Sequence, residues 1–595
     1  MPQRSTLHDW QHAYAQGQFK LRDLYDYVGS ISNDDHAWIE IASQAQLEQQ
    51  LQALLEQDPA QLPLYGIPFA VKDNIDVVGF HTTAACKELS YLAQADATVV
   101  AKLKAAGAVV IGKTNLDQFA TGLVGVRSPY GAVKNSFNPD YMSGGSSSGS
   151  SVVVANSLVP FSLGTDTAGS GRVPAGHNNI VGLKPTKGWF STSGLIPACR
   201  TLDVISIFAL TVDDAWTVAQ IMQGFDQTDA YSRQHPENVP TTFSLGKIAI
   251  PAQLEFYGDE QSRAAFDIAI TRLKQLGYQV ETIDFTVFNQ LGSALYNRSW
   301  VAERTVAVEK KVSRDLAHPV IQKIISQADQ FSATDVMQDE YDRADHARQI
   351  QQVLLNFDAL MVPTAATIYP ISEVEADPLV KNSHMGAYTN FVNFADLSAL
   401  ALPNVIRADG LPSGITMIAP AWHDQALARF GQIWQQNNHL SLGTTNQKYQ
   451  AYSKIESSHA VKLAVVGAHL TQMPLNFQLT TRQAVLSQKT QTAPSYKLYA
   501  LSNSHPPKPG LQYSSTGGAI DVEVWDVPIA LFGKIVAEVP PPLGIGNVQL
   551  ADGTWVKGFI CEGYALDSAK DISQFGGWRN YIQSLQQPST SISEV

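Results

Sequence analysis

The sequence predicts an α/β fold in which a mixed, largely parallel sheet is covered by helices, followed by a smaller β-rich domain. Three observations carry this. Apolar strand-like runs alternate with amphipathic helical stretches, the pattern of β-α-β units around a covered sheet. The chain has 595 residues, more than one hydrophobic core usually fills. Around residues 445–460 the composition turns polar and linker-like, and beyond it short β-like runs are separated by Gly/Pro turns. The boundary is set there, giving domains 1–455 and 456–595.

Residues 37–57 (AWIEIASQAQLEQQLQALLEQ) have the periodicity of an amphipathic helix. The run IPFAV (67–71) reads as a strand ending at Lys72, followed by a helix at 98–107 and the apolar run AVVI (108–111). That is one β-α-β unit. A second consists of GKIAI (246–250), a helix over 259–277 and YQVETIDF (278–285). FDALMVPT (357–364) reads as another buried strand, and the polar, Gly/Pro-poor stretch 286–356 as a helical layer. In the second domain KLAVVGAHL, YKLYALS, AIDVEVWDV and KIVAEV read as β runs, with GLQYSSTGG (510–518) and PPPLGIG (540–546) as turns. In covered parallel sheets binding groups gather beyond the carboxyl ends of strands, and Lys72 sits at such an end.

Apolar residues make up 44% and charged residues 16% of the chain, as in ordinary folded domains. The net charge is −13 with no offsetting Lys/Arg stripe, so no nucleic-acid footprint is expected. Cys86, Cys199 and Cys561 are far apart and form no CxxC pair, which argues against a zinc knuckle or disulfide scaffold. The opening residues MPQRSTLHDWQ lack the apolar core of a signal peptide. No run is long and apolar enough to span a bilayer. A cytoplasmic protein without membrane contact is expected.

The most informative segment is 143–175, SGGSSSGSSVVVANSLVPFSLGTDTAGSGRVPA. Gly/Ser runs are usually flexible linkers, but here the apolar flanks SVVVA and VPFSL pin both clusters. Repeated Gly lets backbone N–H groups converge on one oxygen. Gly145–Gly149 also fits the G-x-S-x-G nucleophile elbow, which requires a strand before the Ser. The preceding FNPDYMSG reads as a turn, so that motif is set aside.

With GGSSSGS (144–150), GTDTAGSGRVPA (164–175), VKDNIDV (71–77), KTNLDQFATG (113–122) and GLPSGITMIAP (410–420), the chain resembles the amidase signature family over roughly residues 20–450. The resemblance implies that family's fold and a catalytic triad of Lys72, Ser146 and Ser170, spaced 74 and 24 residues apart. Ser146 would follow a cis peptide and Ser170 would be the nucleophile. It further implies an oxyanion hole from the N–H groups of Thr167, Ala168, Gly169 and Ser170. A serine needs a base within hydrogen-bond reach. A lysine serves only if burial keeps it neutral, and the apolar run before Lys72 suits that. Asp166 and Arg172 are expected to form an ion pair holding the loop.

Within the family, 194–215, 295–307 and a C-terminal domain beginning VVGAHLTQMPLNFQL (465–479) resemble the allophanate hydrolases. The substrate implied is allophanate, small, planar and anionic, in ATP-dependent urea breakdown. Tyr296, Arg304 and Gly122 would bind it, since an Arg fork matches a carboxylate. If 291–310 is one helix, Tyr296 and Arg304 stand about 80° apart around it and about 12 Å along it. The C-terminal domain resembles the gamma-glutamyl cyclotransferase fold and would assist decarboxylation or serve assembly, with His469 and Asn476 the residues to test. It departs from that pattern at Pro509-Gly510-Leu511-Gln512-Tyr513, where relatives carry an Arg. The resemblance implies no cofactor or metal, a homodimer, and a functional link to a biotin-dependent urea carboxylase. Two alternatives stay open: another small-amide hydrolase acting on a malonamate-like or carbamoyl compound, and an amidotransferase-type subunit.

Overall fold

The structure is a computed structural model. It describes residues 5–586 except 238, 244, 453–454, 456–459, 481, 483 and 503–505. The chain divides into two compact units, 1–237 with 246–455, and 456–595 with 238–245. Residues 456–459, where the sequence sets the start of the second domain, lie outside the described residues.

The first unit is built on an eleven-stranded mixed sheet. Both expected β-α-β units are present. Pro68–Lys72, the helix Thr98–Ala105 and Val109–Thr114 form one, with the strands parallel. Lys247–Pro251, the helix Glu260–Gln275 and Gln279–Ile283 form the other. The sheet is less parallel than the alternation implied: four of its ten pairings are parallel and six antiparallel. Its middle turns back on itself without helical crossovers, as where Leu397–Ile406 returns directly through Pro412–Pro420.

Two other readings of the first unit change. Residues 37–57 are not one helix. Trp38–Ile41 is an antiparallel strand on Val109–Thr114, and the helix Gln44–Leu55 starts only after Ser43, which caps it in a capping box with Gln46. Sheet pairing outweighs the helical periodicity there. The helical layer is present, but its first helix, Thr286–Asn297, ends before a second, Val301–Glu309, begins. The described part of the expected linker is tied down: Tyr449 donates to Asp213 Oδ2 at 2.6 Å, and Tyr452 bonds Asp214.

The second unit holds a five-stranded sheet and a three-stranded one. Their core includes Leu463, Leu498, Ile520, Val524 and Val548. The strands Ala460–Val465, Tyr496–Ala500 and Asp521–Pro528 fall where the apolar runs place them. KIVAEV instead lies in the helix Ile529–Ala537 and just beyond it. The apolar residues of IALFGKIVA recur at helical spacing, which short β runs do not require. The supposed turns GLQY and LGIG are strands, Pro509–Tyr513 and Leu543–Gln549. Their Gly and Pro residues stand in ladders at the sheets' outer strands, where such residues are tolerated. No described helix is long and apolar enough to cross a membrane.

Candidate active site

Three neighbouring strands run parallel and end at one edge of the large sheet: Val109–Thr114, Pro68–Lys72 and Phe161–Asp166. The first leads into the Asp117 loop, the second ends on Lys72, and the third feeds the Ser170 loop. The fully buried helix Ser148–Ala155 lies against these strands, and Ser146 and Ser147 stand just before its first turn. Residues 137–144 form turns and isolated bridges rather than a strand, so the nucleophile-elbow geometry is absent.

Lys72 is completely buried. Its Nζ donates to Ser147 Oγ at 2.9 Å and Thr165 Oγ1 at 2.7 Å, and meets Ser146 Oγ at 2.8 Å. Burial lowers its pKa to about 7, against the opposing pull of Asp117, Asp203 and Asp166. Among the described residues no carboxylate lies within ion-pair distance of it, so the amine form is stabilised at neutral pH. The Ser147 hydroxyl donates to Thr165 O at 3.0 Å and accepts from Thr165 N at 3.1 Å, which commits it structurally. The Ser146 hydroxyl has Lys72 as its one described partner. The Gly145–Ser146 peptide is cis, as the resemblance implies. A Cβ at Gly145 would stand 2.2 Å from Asp117 Oδ2, so only glycine fits there.

The Ser170 loop is closed by the expected ion pair. Arg172 donates to both carboxylate oxygens of Asp166, Nε at 2.8 Å and Nη2 at 2.9 Å, and Gly171 N adds a third bond at 3.0 Å. Burial favours a protonated Asp166, but Arg172 and these bonds outweigh it and hold the carboxyl below its ordinary pKa. Gly169 has φ +148°, and a Cβ there would meet Thr389 Oγ1 at 2.4 Å. Among the described residues the N–H groups of Thr167, Ala168, Gly169 and Ser170 donate to no protein acceptor. Ser170 is 2% exposed. Its hydroxyl makes no hydrogen bond to a described residue, so the structure joins Lys72 to Ser146 directly but not Ser146 to Ser170. Asp203 accepts Thr167 Oγ1 at 2.5 Å and Ala198 N at 2.7 Å, and burial pushes its carboxyl up to about 6.

Tyr296 and Arg304 meet. The break between their helices lets Arg304 Nη2 reach Tyr296 OH at 3.3 Å and its guanidinium stack 4.9 Å from the ring, which the single-helix expectation of about 12 Å did not foresee. Arg304 is 1% exposed. Its Nη1 donates to Thr121 Oγ1 at 3.0 Å, beside Gly122, and its buried Nε has no hydrogen-bond partner among the described residues. Arg127, also 1% exposed, grips the same residue through Thr121 O at 3.0 Å. Tyr296 and Arg127 line a cavity of about 590 Å³ with Asn382, Tyr388 and Asn390. Ser170 does not line it.

In the second unit His469 and Lys508 line a separate cavity of about 200 Å³. His469 stacks on Phe559 at 4.8 Å, and its Nε2 meets Gln478 Oε1 at 2.8 Å. Burial lowers its pKa. Asn476 does not line the cavity; it donates to the His469 carbonyl at 2.9 Å. Among the described residues no group of three His, Cys, Asp or Glu side chains is placed to hold a metal. The three cysteines are free.

Ser147, Thr165, Asp203, Arg127 and Asn393, whose Nδ2 donates to the carbonyls of Asp166 and Thr167, are not among the residues the sequence singled out. Ser147 lies inside the quoted GGSSSGS run, so its proximity to Lys72 was within reach. Asp203, Asn393 and Arg127 carry no local motif, and only the fold brings them in.

Against known proteins, the amidase family model matches residues 21–428. The chain belongs to the amidase family. The model for the allophanate hydrolase C-terminal domain matches residues 461–583. The allophanate hydrolase of Kluyveromyces lactis superposes with a TM-score of 0.85 at 41% identity, over 98% of this chain and 99% of that one. Urea amidolyase of Saccharomyces cerevisiae is 42% identical over 98% of this chain, which spans 33% of that protein. The chain thus covers about a third of the length of the curated urea amidolyases it matches. A glutamyl-tRNA(Gln) amidotransferase subunit of Treponema pallidum is 33% identical over 64% of this chain and 83% of that protein.

Proposed function

We propose that the chain hydrolyses allophanate, with Ser170 as nucleophile, Ser146 as proton relay and Lys72 as base. The neutral Lys72 amine takes the Ser146 proton as Ser146 takes that of Ser170. Ser170 Oγ then attacks the terminal amide carbonyl, and the unspent N–H groups of Thr167 to Ser170 receive the oxyanion. The same relay run backwards protonates the leaving nitrogen, and ammonia departs. Water, deprotonated along the same path, hydrolyses the acyl-Ser170 intermediate to N-carboxycarbamate, which loses carbon dioxide.

Arg304 carries the assignment of substrate. A fully buried guanidinium with no described carboxylate within ion-pair distance, its Nε unspent, suits a ligand carboxylate. Tyr296 holds its plane, while the missing side chain of Gly122 makes room for Asp117, whose Oδ2 a Cβ there would meet at 2.5 Å. The match of residues 461–583 to an allophanate hydrolase domain supports the same reading.

The chain then works in the cytoplasm as a homodimer, in ATP-dependent urea breakdown beside a biotin-dependent urea carboxylase, and its second unit assists the decarboxylation or serves assembly. The relatives named urea amidolyase, about three times as long as the matched region, support the carboxylase link.

The test is ammonia release by the purified chain from allophanate, malonamate, urea and simple amides side by side. Allophanate should be strongly preferred. Comparable turnover of simple amides would remove the substrate, and activity only with an added protein would favour the amidotransferase-type reading.

A further inference from the structure

Asn393 is completely buried. Its Nδ2 donates to two successive carbonyls, Asp166 O at 2.9 Å and Thr167 O at 3.0 Å. In a planar trans peptide the N–H points opposite to the C=O. Those two carbonyls belong to the peptides that carry the N–H groups of Thr167 and Ala168. One side-chain amide therefore pulls both carbonyls to one side and turns both N–H groups to the other. Asp203 anchors the same residue from a second direction through the Thr167 hydroxyl at 2.5 Å. It also accepts Ala198 N at 2.7 Å and Cys199 N at 3.1 Å. Every group bonded to Asp203 is a donor, so the arrangement is made for a carboxylate rather than an acid. Asn393 comes from the helix Phe391–Phe394 and Asp203 from the turn before Val204–Ala209. Neither is adjacent in sequence to the triad.

We propose that Asn393 and Asp203 are positioning residues that aim the backbone N–H groups of Thr167 and Ala168 at the reacting oxygen. This rests on Ser170 being the nucleophile, though not on the identity of the substrate. Preorganised donors act on the transition state more than on the bound substrate. Loosening them should lower kcat and leave KM nearly unchanged.

The test uses the full chain and a small fluorophosphonate. Ser170 Oγ bonds to phosphorus, the P–F bond breaks, fluoride leaves, and the serine proton passes by Ser146 to Lys72. The phosphoryl oxygen occupies the place of the oxyanion. Labelling is followed by intact mass, kcat and KM by ammonia release, and folding by thermal melting. Asn393→Ala and Asp203→Asn should slow labelling and kcat by about tenfold or more, with KM changed by less than about twofold. Thr167→Ser, which keeps the hydroxyl, should retain most of the rate, and Thr167→Val should lose it. The Thr167 pair decides the matter if Asn393→Ala does not fold. Folded Asn393→Ala and Asp203→Asn variants that label at the wild-type rate would overturn the proposal. So would a loss confined to KM, or a fully active Thr167→Val. A wild type that is labelled at Ser170 but releases no ammonia from allophanate would remove the substrate reading and leave this one standing.

Discussion

The Lys72 amine and the Ser146 hydroxyl meet at 2.8 Å, and that hydroxyl has no other partner among the described residues. Ser147, 2.9 Å from the same amine, is bonded on both sides to Thr165. Of two neighbouring serines, one is free to relay a proton and one is spent on holding the strand.

A base whose pKa burial lowers to about 7 is half neutral there. kcat/KM should therefore rise with pH through about 7 and level off above it. Lys72→Ala should reduce kcat by about 100-fold or more. A pH–rate profile flat between 6 and 8 would contradict this.

The same shift predicts a stability effect. The folded pKa of Lys72, about 7, lies below the ordinary value of 10.5. Between those values the unfolded chain holds a proton that the folded chain has lost, so this group's contribution to stability increases as pH rises. Lys72→Met removes it. The stability of wild type relative to Lys72→Met should therefore grow between pH 7 and 9 in denaturant titrations.

Arg304 is buried with only hydroxyl partners described. Arg304→Ala should raise KM for allophanate by about 10- to 100-fold, the equivalent of losing charge-assisted bonds worth about 1.5–3 kcal/mol. Its effect on a neutral amide should be small. Steady-state kinetics on the two substrates checks this. An unchanged KM for allophanate would place the carboxylate elsewhere.

The Asp166–Arg172 pair is fully buried and joined by two hydrogen bonds. Removing one partner leaves an uncompensated charge inside the protein, so Arg172→Met should destabilise the first unit by about 3–5 kcal/mol. Chemical denaturation measures it, and a stability loss under 1 kcal/mol would show that the loop does not depend on the pair.

What the sequence made legible was chemistry near a motif. Lys72 at the end of a buried strand, the two Gly/Ser loops and the Asp166–Arg172 clamp could all be read because their meaning is local. The break between Tyr296 and Arg304 was not legible, since RSW at 298–300 contains no Gly or Pro to mark the end of a helix. The strand at Trp38–Ile41 was hidden because its pairing with Val109–Thr114 is a long-range contact that helical periodicity masks. Asn393 escaped for the same reason: its role is set by the carbonyls of residues more than 220 positions earlier.

The most direct test of the proton path is ammonia release by Ser146→Ala and Ser147→Ala, measured beside wild type and Ser170→Ala with folding checked by thermal melting. Ser170→Ala should show no turnover, and Ser146→Ala a loss in kcat of about 100-fold or more. Ser147→Ala should show a smaller loss, together with a stability loss of about 1–3 kcal/mol from its broken Thr165 bonds. Equal activity in the Ser146→Ala and Ser147→Ala variants, or a folded Ser146→Ala enzyme at full rate, would contradict that path.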